Sequence, residues 1–446
     1  MMRRLAPVLL GLASLGCAGE APVSIVMITI DTLRADHVGS YGYFRDVTPA
    51  IDALASEGVL FEHAIAPMAT TLPSHTSLLT SSYPARHGVR ANFQSYQRRV
   101  PLDGDDFQTF AQLLKRAGYE TAAFVSVYHL RPETGIAAGF DTFDTVPGDR
   151  GGQGLDRITR TADQTTRRAV DWLGRRTDDR PFFMWVHYFD PHSPYSPPAR
   201  YRQAYGDAAA LTAFIREKRV PERYEGRTRA LHDRYDGEIR FADDQIGVLF
   251  AALRRLGLYD DAAIVLTADH GEGLGQHGVL EHGVIFNEQI EVPLILRLPK
   301  GARAGERVAT VVSLIDVLPT LVSVLGLSVP TAQFDGIDVL SEERRYALAE
   351  REYSKRRFGS DVNLSLTGER WKYVYHSEQA DSLFDLGADP VEVNDVLADH
   401  PEVAAAMRQE ILRLVEQYGE EGAALGVEPT VSPEMREALE TLGYVE

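Results

Sequence analysis

Three apolar runs in this chain, at residues 24–30, 181–189 and 262–267, each end within two positions of an aspartate: Asp31, Asp190 and Asp269. None of them alternates between apolar and polar residues, and all are rich in β-branched or aromatic side chains. A run of this kind reads as a strand buried on both faces, the situation of a parallel sheet covered by helices on each side. Further runs at 121–125 and 292–298 extend the sheet, and helical patterns fall at 48–58, 107–116 and 311–325. Thr48 followed by Pro49 is an N-cap with proline in the first turn. Strands alternating with helices predict a doubly wound α/β architecture. Open sheets of that type bind ligands at the C-terminal ends of their strands, where the three aspartates fall.

The texture changes after residue 340. Short strands with polar alternation are predicted at 346–351, 364–367 and 371–376, followed by a helix at 402–418. This divides the chain into a main domain at 22–340 and a small α+β subdomain at 341–446. Residues 217–229 are highly charged and read as a solvated insertion. The formal charge of −18 argues against a nucleic-acid partner. At the other end, Met1-Met2-Arg3-Arg4 precedes an apolar run at 5–15 that is too short to span a bilayer. Cys17, the single cysteine, rules out an intramolecular disulfide. Ser14-Leu15-Gly16-Cys17 resembles a bacterial lipoprotein box, which implies removal of residues 1–16 and lipidation of Cys17. The expected location is the cell envelope, lipid-anchored, periplasmic or at the outer membrane.

Two clusters carry chemistry. In Thr70-Thr71-Leu72-Pro73-Ser74-His75, a proline two residues after Thr71 and an apolar helical run beyond it place Thr71 at a helix N-terminus. A hydroxyl there stands in the positive end of the helix dipole, beside backbone N–H groups that can hold a phosphate or sulfate. A plain N-cap gives the same local pattern. In Asp269-His270-Gly271-Glu272, a carboxylate and an imidazole at a strand end suit Zn²⁺ or another divalent ion, with Asp31 adding a second carboxylate.

The combination resembles the sulfatase family of the alkaline phosphatase superfamily. The resemblance begins with Asp31-Thr32-Leu33-Arg34-Ala35-Asp36 and Thr48-Pro49-Ala50-Ile51-Asp52. It continues through Leu72-Pro73-Ser74, Arg86-His87-Gly88-Val89, Asp269-His270-Gly271 and Val292-Pro293-Leu294-Ile295. Leu314-Ile315-Asp316, Leu383-Phe384-Asp385-Leu386, Asp389-Pro390 and Leu442-Gly443-Tyr444 complete it. It implies an alkaline-phosphatase-like, mostly parallel central sheet flanked by helices, and a metal-dependent ester hydrolase with Asp31, Thr71, Asp269 and His270 at the metal.

The departures narrow the chemistry. Sulfatases place cysteine or serine at position 71, convert it to formylglycine, and have arginine where this chain has His75. Threonine cannot give that aldehyde. Thr71-Leu72-Pro73-Ser74-His75 is instead similar to the Thr-x-Pro-Asn-His element of nucleotide pyrophosphatase/phosphodiesterases, whose unmodified threonine is the nucleophile. Val127 replaces the family's sulfate-binding lysine while His129 is kept, and Thr32 stands where many sulfatases have a second metal-binding aspartate. Asp190, His192 and His282 could hold a second ion or supply acid and oxyanion donors around one; losing lysine and aspartate together favours two. The ion is expected to be zinc, with manganese or calcium as alternatives and no formylglycine. His192 or His129 is the expected acid. Small-molecule, glycan or lipid esters of sulfate or phosphate are the expected substrates. An envelope phospho-group transferase and a non-catalytic binding protein of the same fold are the other readings.

Overall fold

The computed structural model describes residues 22–92, 108–146, 158–202, 205–352, 362–377 and 379–422. The leader, Cys17 and Leu442-Gly443-Tyr444 lie outside them. Eight strands build the central sheet: β1 (Ile25–Ile30), β2 (Val59–Ile65), β3 (Glu120–Phe124), β4 (Thr142–Asp144), β5 (Phe182–Tyr188), β6 (Ala263–Ala268), β7 (Glu291–Arg297) and β8 (Glu306–Ser313). Their order is β4-β3-β5-β1-β6-β7-β2-β8. β7 pairs antiparallel with both neighbours, and the other pairings are parallel. Every residue of β1, β5 and β6 is buried, as expected of central strands with helices on both faces.

A second sheet, antiparallel, has the order β12-β11-β10-β9, formed by β9 (Ala347–Glu352), β10 (Val362–Thr367), β11 (Trp371–His376) and β12 (Ser382–Asp385). Helix Pro401–Gly422 covers it, and Leu366, Tyr373, Leu383, Met407 and Ile411 share one apolar cluster with Tyr83 and Ile315 from the main body. The small sheet is therefore packed onto the large one through a common core. No helix among the described residues is long and apolar enough to cross a membrane.

The structure corrects several expectations. The helix expected at 311–325 begins only at Val317, because residues 306–313 alternate between half-buried and exposed positions and then run buried as β8. The charged stretch 217–229 is largely exposed, as expected, but it carries regular structure. It ends helix Ala208–Glu217 and starts the 31-residue helix Glu225–Arg255, whose inner face buries His232, Tyr235, Asp236 and Ile239. Helix Pro49–Ser56 starts at the expected proline, yet Thr48 does not cap it with its side chain: the hydroxyl accepts Gly39 N–H (2.9 Å) and donates to Asp52 (3.1 Å). Strand β2 was not foreseen.

His87 has a structural role. Its Nδ1 accepts Val89 N–H (3.1 Å) and its Nε2 faces Ser77 Oγ at 2.9 Å, and burial pushes its pKa down to about 3. A histidine lowered on folding adds nothing to the pH slope above its unfolded value near 6.5, and its stabilisation is lost as pH falls from there toward 3. His87→Gln should flatten the decline of urea stability between pH 6 and pH 4 by up to about 1.4 kcal/mol per pH unit, the limit for one proton. An unchanged slope would show that the imidazole is charged in the fold.

Candidate active site

The register of three adjacent strands assembles the site. Ile30 pairs with Tyr188 on β5 and with Ala268 on β6, so Asp31 and Asp269 leave neighbouring strands at the same level. Both are wholly buried. Asp269 Oδ1 accepts the N–H groups of Thr32 (3.2 Å) and His270 (2.9 Å), which leaves Oδ2 turned inward without a partner. Neither oxygen of Asp31 has a partner. Burial pushes the Asp31 carboxyl well above its ordinary range, and burial, then the like charge of Asp31, pushes Asp269 up to about 7.

His270 completes the trio. Its Nδ1 lies 2.9 Å from Gly271 O, a pure acceptor, so Nδ1 carries the proton and Nε2 keeps its lone pair. That Nε2 stands 3.5 Å from Asp269 Oδ2 and 3.8 Å from Asp31 Oδ1. Two ligands about 2.1 Å from one tetrahedral ion stand about 3.4 Å apart. Burial lowers the His270 pKa to about 4, which keeps the imidazole in its ligating, neutral form. Two buried carboxylates without a counter-charge, facing a lone pair whose tautomer is set by a backbone carbonyl, make a donor set that fits a divalent cation.

Thr71 opens helix Thr71–Thr80, with Thr70 as N-cap, and its hydroxyl is buried without a partner. One bond ties this segment to the metal trio, Ser74 Oγ donating to Asp269 O (2.6 Å); beside it His282 Nδ1 lies 3.1 Å from Ala69 O, and within the helix His75 Nδ1 lies 2.8 Å from Thr71 O. The helix start is poorer in amides than its sequence suggested. Leu72 N–H is taken by Asn92 Oδ1 (2.8 Å), and Pro73 has none. It offers the hydroxyl and the dipole rather than a row of open N–H groups.

The remaining histidines separate by role. His75 has both nitrogens committed, Nδ1 to Thr71 O and Nε2 to Thr29 Oγ1 (3.0 Å), which itself accepts Trp185 Nε1–H (3.0 Å). Burial holds its pKa near 3, so it braces Thr71 as a neutral ring rather than replacing the family's arginine charge. His192 and His282 meet at Nε2 with a separation of 3.2 Å. Each commits Nδ1–H to a backbone carbonyl, Ser193 O (2.7 Å) and Ala69 O respectively. Burial lowers both pKa values well below the ordinary histidine range, helped by His282 beside His192 and by His270 beside His282. Two neutral rings thus turn lone pairs toward one point that suits a transferred proton or a cation. His282 also lies 4.3 Å, ring to ring, from His270. His129 is buried, and burial followed by neighbouring His192 brings its pKa to about 3.

Asp190 is the expectation that changes most. Its Oδ2 accepts Ala162 N–H (2.8 Å) at the start of helix Ala162–Arg175, and it belongs to neither group of converging ligands found among the described residues. Asp190→Asn, which keeps the acceptor, should leave divalent-cation affinity within about threefold, whereas losing a true ligand or its support costs tenfold or more. The residue missing from the expected metal ligands is His187. It sits on β5 opposite Thr29, with Nε2 3.6 Å from Asp31 Oδ2, and converges with His75 and Asp269. A single histidine inside an otherwise apolar strand, three residues before Asp190, was the available signal.

With this geometry in place, the comparisons decide the family. Residues 24–327 match the sulfatase family, and residues 275–417 match the C-terminal region of N-sulphoglucosamine sulphohydrolase. The chain belongs to the sulfatase family. It is 24% identical over 441 residues to an arylsulfatase of Clostridium perfringens, covering 84% of this chain and 90% of that one. It is 25% identical over 491 residues to a multifunctional alkaline phosphatase superfamily protein of Trinickia caryophylli, covering 86% and 93%. Among solved structures, the phosphonate monoester hydrolase of Agrobacterium radiobacter superposes with a TM-score of 0.72 at 24% identity, over 89% of this chain and 96% of that one. This sulfatase-family protein is accordingly a hydrolase, with the family's mixed eight-stranded sheet and small C-terminal sheet.

Proposed function

We propose that this sulfatase-family hydrolase cleaves phosphate monoesters or diesters, and more slowly sulfate esters, with the unmodified hydroxyl of Thr71 as nucleophile. The observation that carries this reading is the buried, unpartnered Thr71 hydroxyl at the start of a helix pinned to Asp269 through Ser74. Asp31, Asp269 and His270, with Thr71, would hold a divalent ion, zinc by the mixed nitrogen and oxygen donors. Bound there, the ion would lower the hydroxyl's pKa and neutralise charge on the ester oxygens.

The side chains supply the rest. Thr71 Oγ attacks phosphorus or sulfur in line as the bond to the leaving oxygen breaks, giving a threonyl ester. The hydroxyl proton of Thr71 is taken up at the facing Nε2 atoms of His192 and His282 and passed on to the leaving oxygen. Water then attacks the threonyl ester and releases the inorganic group, returning Thr71 to its hydroxyl form. Phosphate is favoured because a plain alkyl sulfate on Thr71 resolves slowly, the difficulty that a formylglycine hydrate removes. The Trinickia relative, described as multifunctional, is consistent with breadth across ester types.

The second ion anticipated at Asp190, His192 and His282 is reduced by the turn of Asp190 to two imidazoles, so a single ion with a histidine acid is the reading adopted. The substrates are small-molecule, glycan or lipid esters, and lipidation of Cys17 would hold the enzyme at the cell envelope; Cys17→Ser should then appear in the soluble fraction. Rates on aryl phosphate, bis-aryl phosphate and aryl sulfate, with and without Zn²⁺, test the substrate reading. Sulfate turnover exceeding that of both phosphates would overturn it.

A further inference from the structure

An ion pair stands between the two sheets, apart from the chemistry above. The Lys372 ammonium on β11 and the Glu392 carboxylate lie 2.6 Å apart, and both side chains are wholly buried. Both also hold Asn287: Lys372 Nζ donates to its Oδ1 (2.7 Å), and Glu392 Oε2 accepts its N–H (2.6 Å). Asn287 opens the turn Asn287–Ile290, which supports the segment after Asp269. Gly271 N–H donates to Gln289 O (2.8 Å), and Glu272 N–H to Glu288 O (3.1 Å). The two arms touch so closely that a Cβ on Gly271 would lie 2.2 Å from Glu288 O, and one on Gly273 2.5 Å from Glu281 O. On the far side, Gln289 accepts Val284 N–H (2.8 Å) and donates to Glu281 O (3.1 Å), bracketing His282. His277 adds a tie, with Nδ1 2.9 Å from Glu288 and Nε2 3.2 Å from Glu392 O.

A buried ion pair is a weak source of stability, because desolvating both charges offsets most of their attraction. What it does well is fix where its partners stand. We infer that Lys372 and Glu392 are positioning residues, clamping Asn287 so that His270 and His282, on the two arms of one loop, keep the spacing the active site requires. The inference rests on the placement of His270 and His282 in the active site.

The test uses the full chain carrying Lys372→Met with Glu392→Gln, a neutral pair of nearly the same shape. Zinc affinity is read by chelator competition, kcat and KM on an aryl phosphate, and folding by a thermal melt. The expected result is a folded protein whose zinc Kd is weakened about tenfold or more and whose kcat falls about tenfold, with KM little changed. Zinc affinity and kcat both within about twofold of the parent, in a folded variant, would overturn the inference. Should the double variant fail to fold, Asn287→Ala decides, because it keeps the ion pair and the backbone N–H. A loss in kcat of about threefold or more supports the clamp, and an unchanged kcat overturns it. The zinc measurement needs no turnover, so it stays decisive even if Thr71 proves not to be the nucleophile.

Discussion

Alanine at position 71 is expected to lower kcat/KM by on the order of 10⁴-fold or more on every ester the protein cleaves, while the fold and zinc affinity change far less. The hydroxyl is buried, has no protein partner, and leads a helix braced by His75 and anchored to Asp269 through Ser74. Nothing in that arrangement needs the hydroxyl for stability, so its loss should register in turnover. Serine keeps the oxygen but drops the methyl group that restricts χ1, so Thr71→Ser should retain activity within about 10- to 100-fold of the parent. Acid quenching during turnover should trap the phosphoryl or sulfuryl group on Thr71, as peptide mass spectrometry would show. An alanine variant that keeps its rate would assign the attack to water and leave Thr71 as an N-terminal helix residue only.

Asp269→Asn should abolish zinc-dependent turnover and weaken zinc binding by about 100-fold or more, the larger end of what losing a ligand and its orientation costs. The same change should leave the zinc-free protein at least as stable as the zinc-free parent. Asp31 and Asp269 are buried together, and each carboxyl is pushed above its ordinary range, so folding without a cation places like charges side by side. Removing one charge relieves that repulsion, while Oδ1 of asparagine can still accept the Thr32 and His270 N–H groups. The opposing signs are the useful part: melts with chelator and with Zn²⁺ should show a large zinc-induced rise in the parent and almost none in the variant. A variant that is destabilised without zinc and still gains from it would show that Asp269 serves the fold rather than the ion.

Much of this was readable from the sequence, and the misses have physical causes. β1, β5 and β6 declare themselves because a strand buried on both faces has no polar positions, and Asp31 and Asp269 follow from strand ends. β2 was overlooked because Val59–Ile65 mixes an apolar start with Glu62 and His63, which point outward where the strand is less enclosed. β8 was read as helix because its alternation runs directly into the apolar stretch of Val317–Val324, and periodicity alone does not mark the change. Helix Glu225–Arg255 was hidden by charge on its solvent face. An aspartate after a strand reads the same whether it turns inward to an ion, as Asp269 does, or back to cap a helix, as Asp190 does. Only the neighbouring helix start at Ala162 decides between them.

The strand register has one more consequence. Asp31 and Asp269 follow directly on the ends of adjacent parallel strands and His187 lies on a third, so their backbones are spaced by the inter-strand distance, about 4.8 Å, rather than by loop packing. A slip of one residue would turn each of these side chains to the opposite face of the sheet, and burial on both faces leaves no such slip open. The carboxylates of the reactive centre are thus held by the sheet, whereas His270 and His282 keep their places through their own loop. Divergence among such proteins can rewrite what enters the site, one surface loop at a time, without having to rebuild the chemistry beneath.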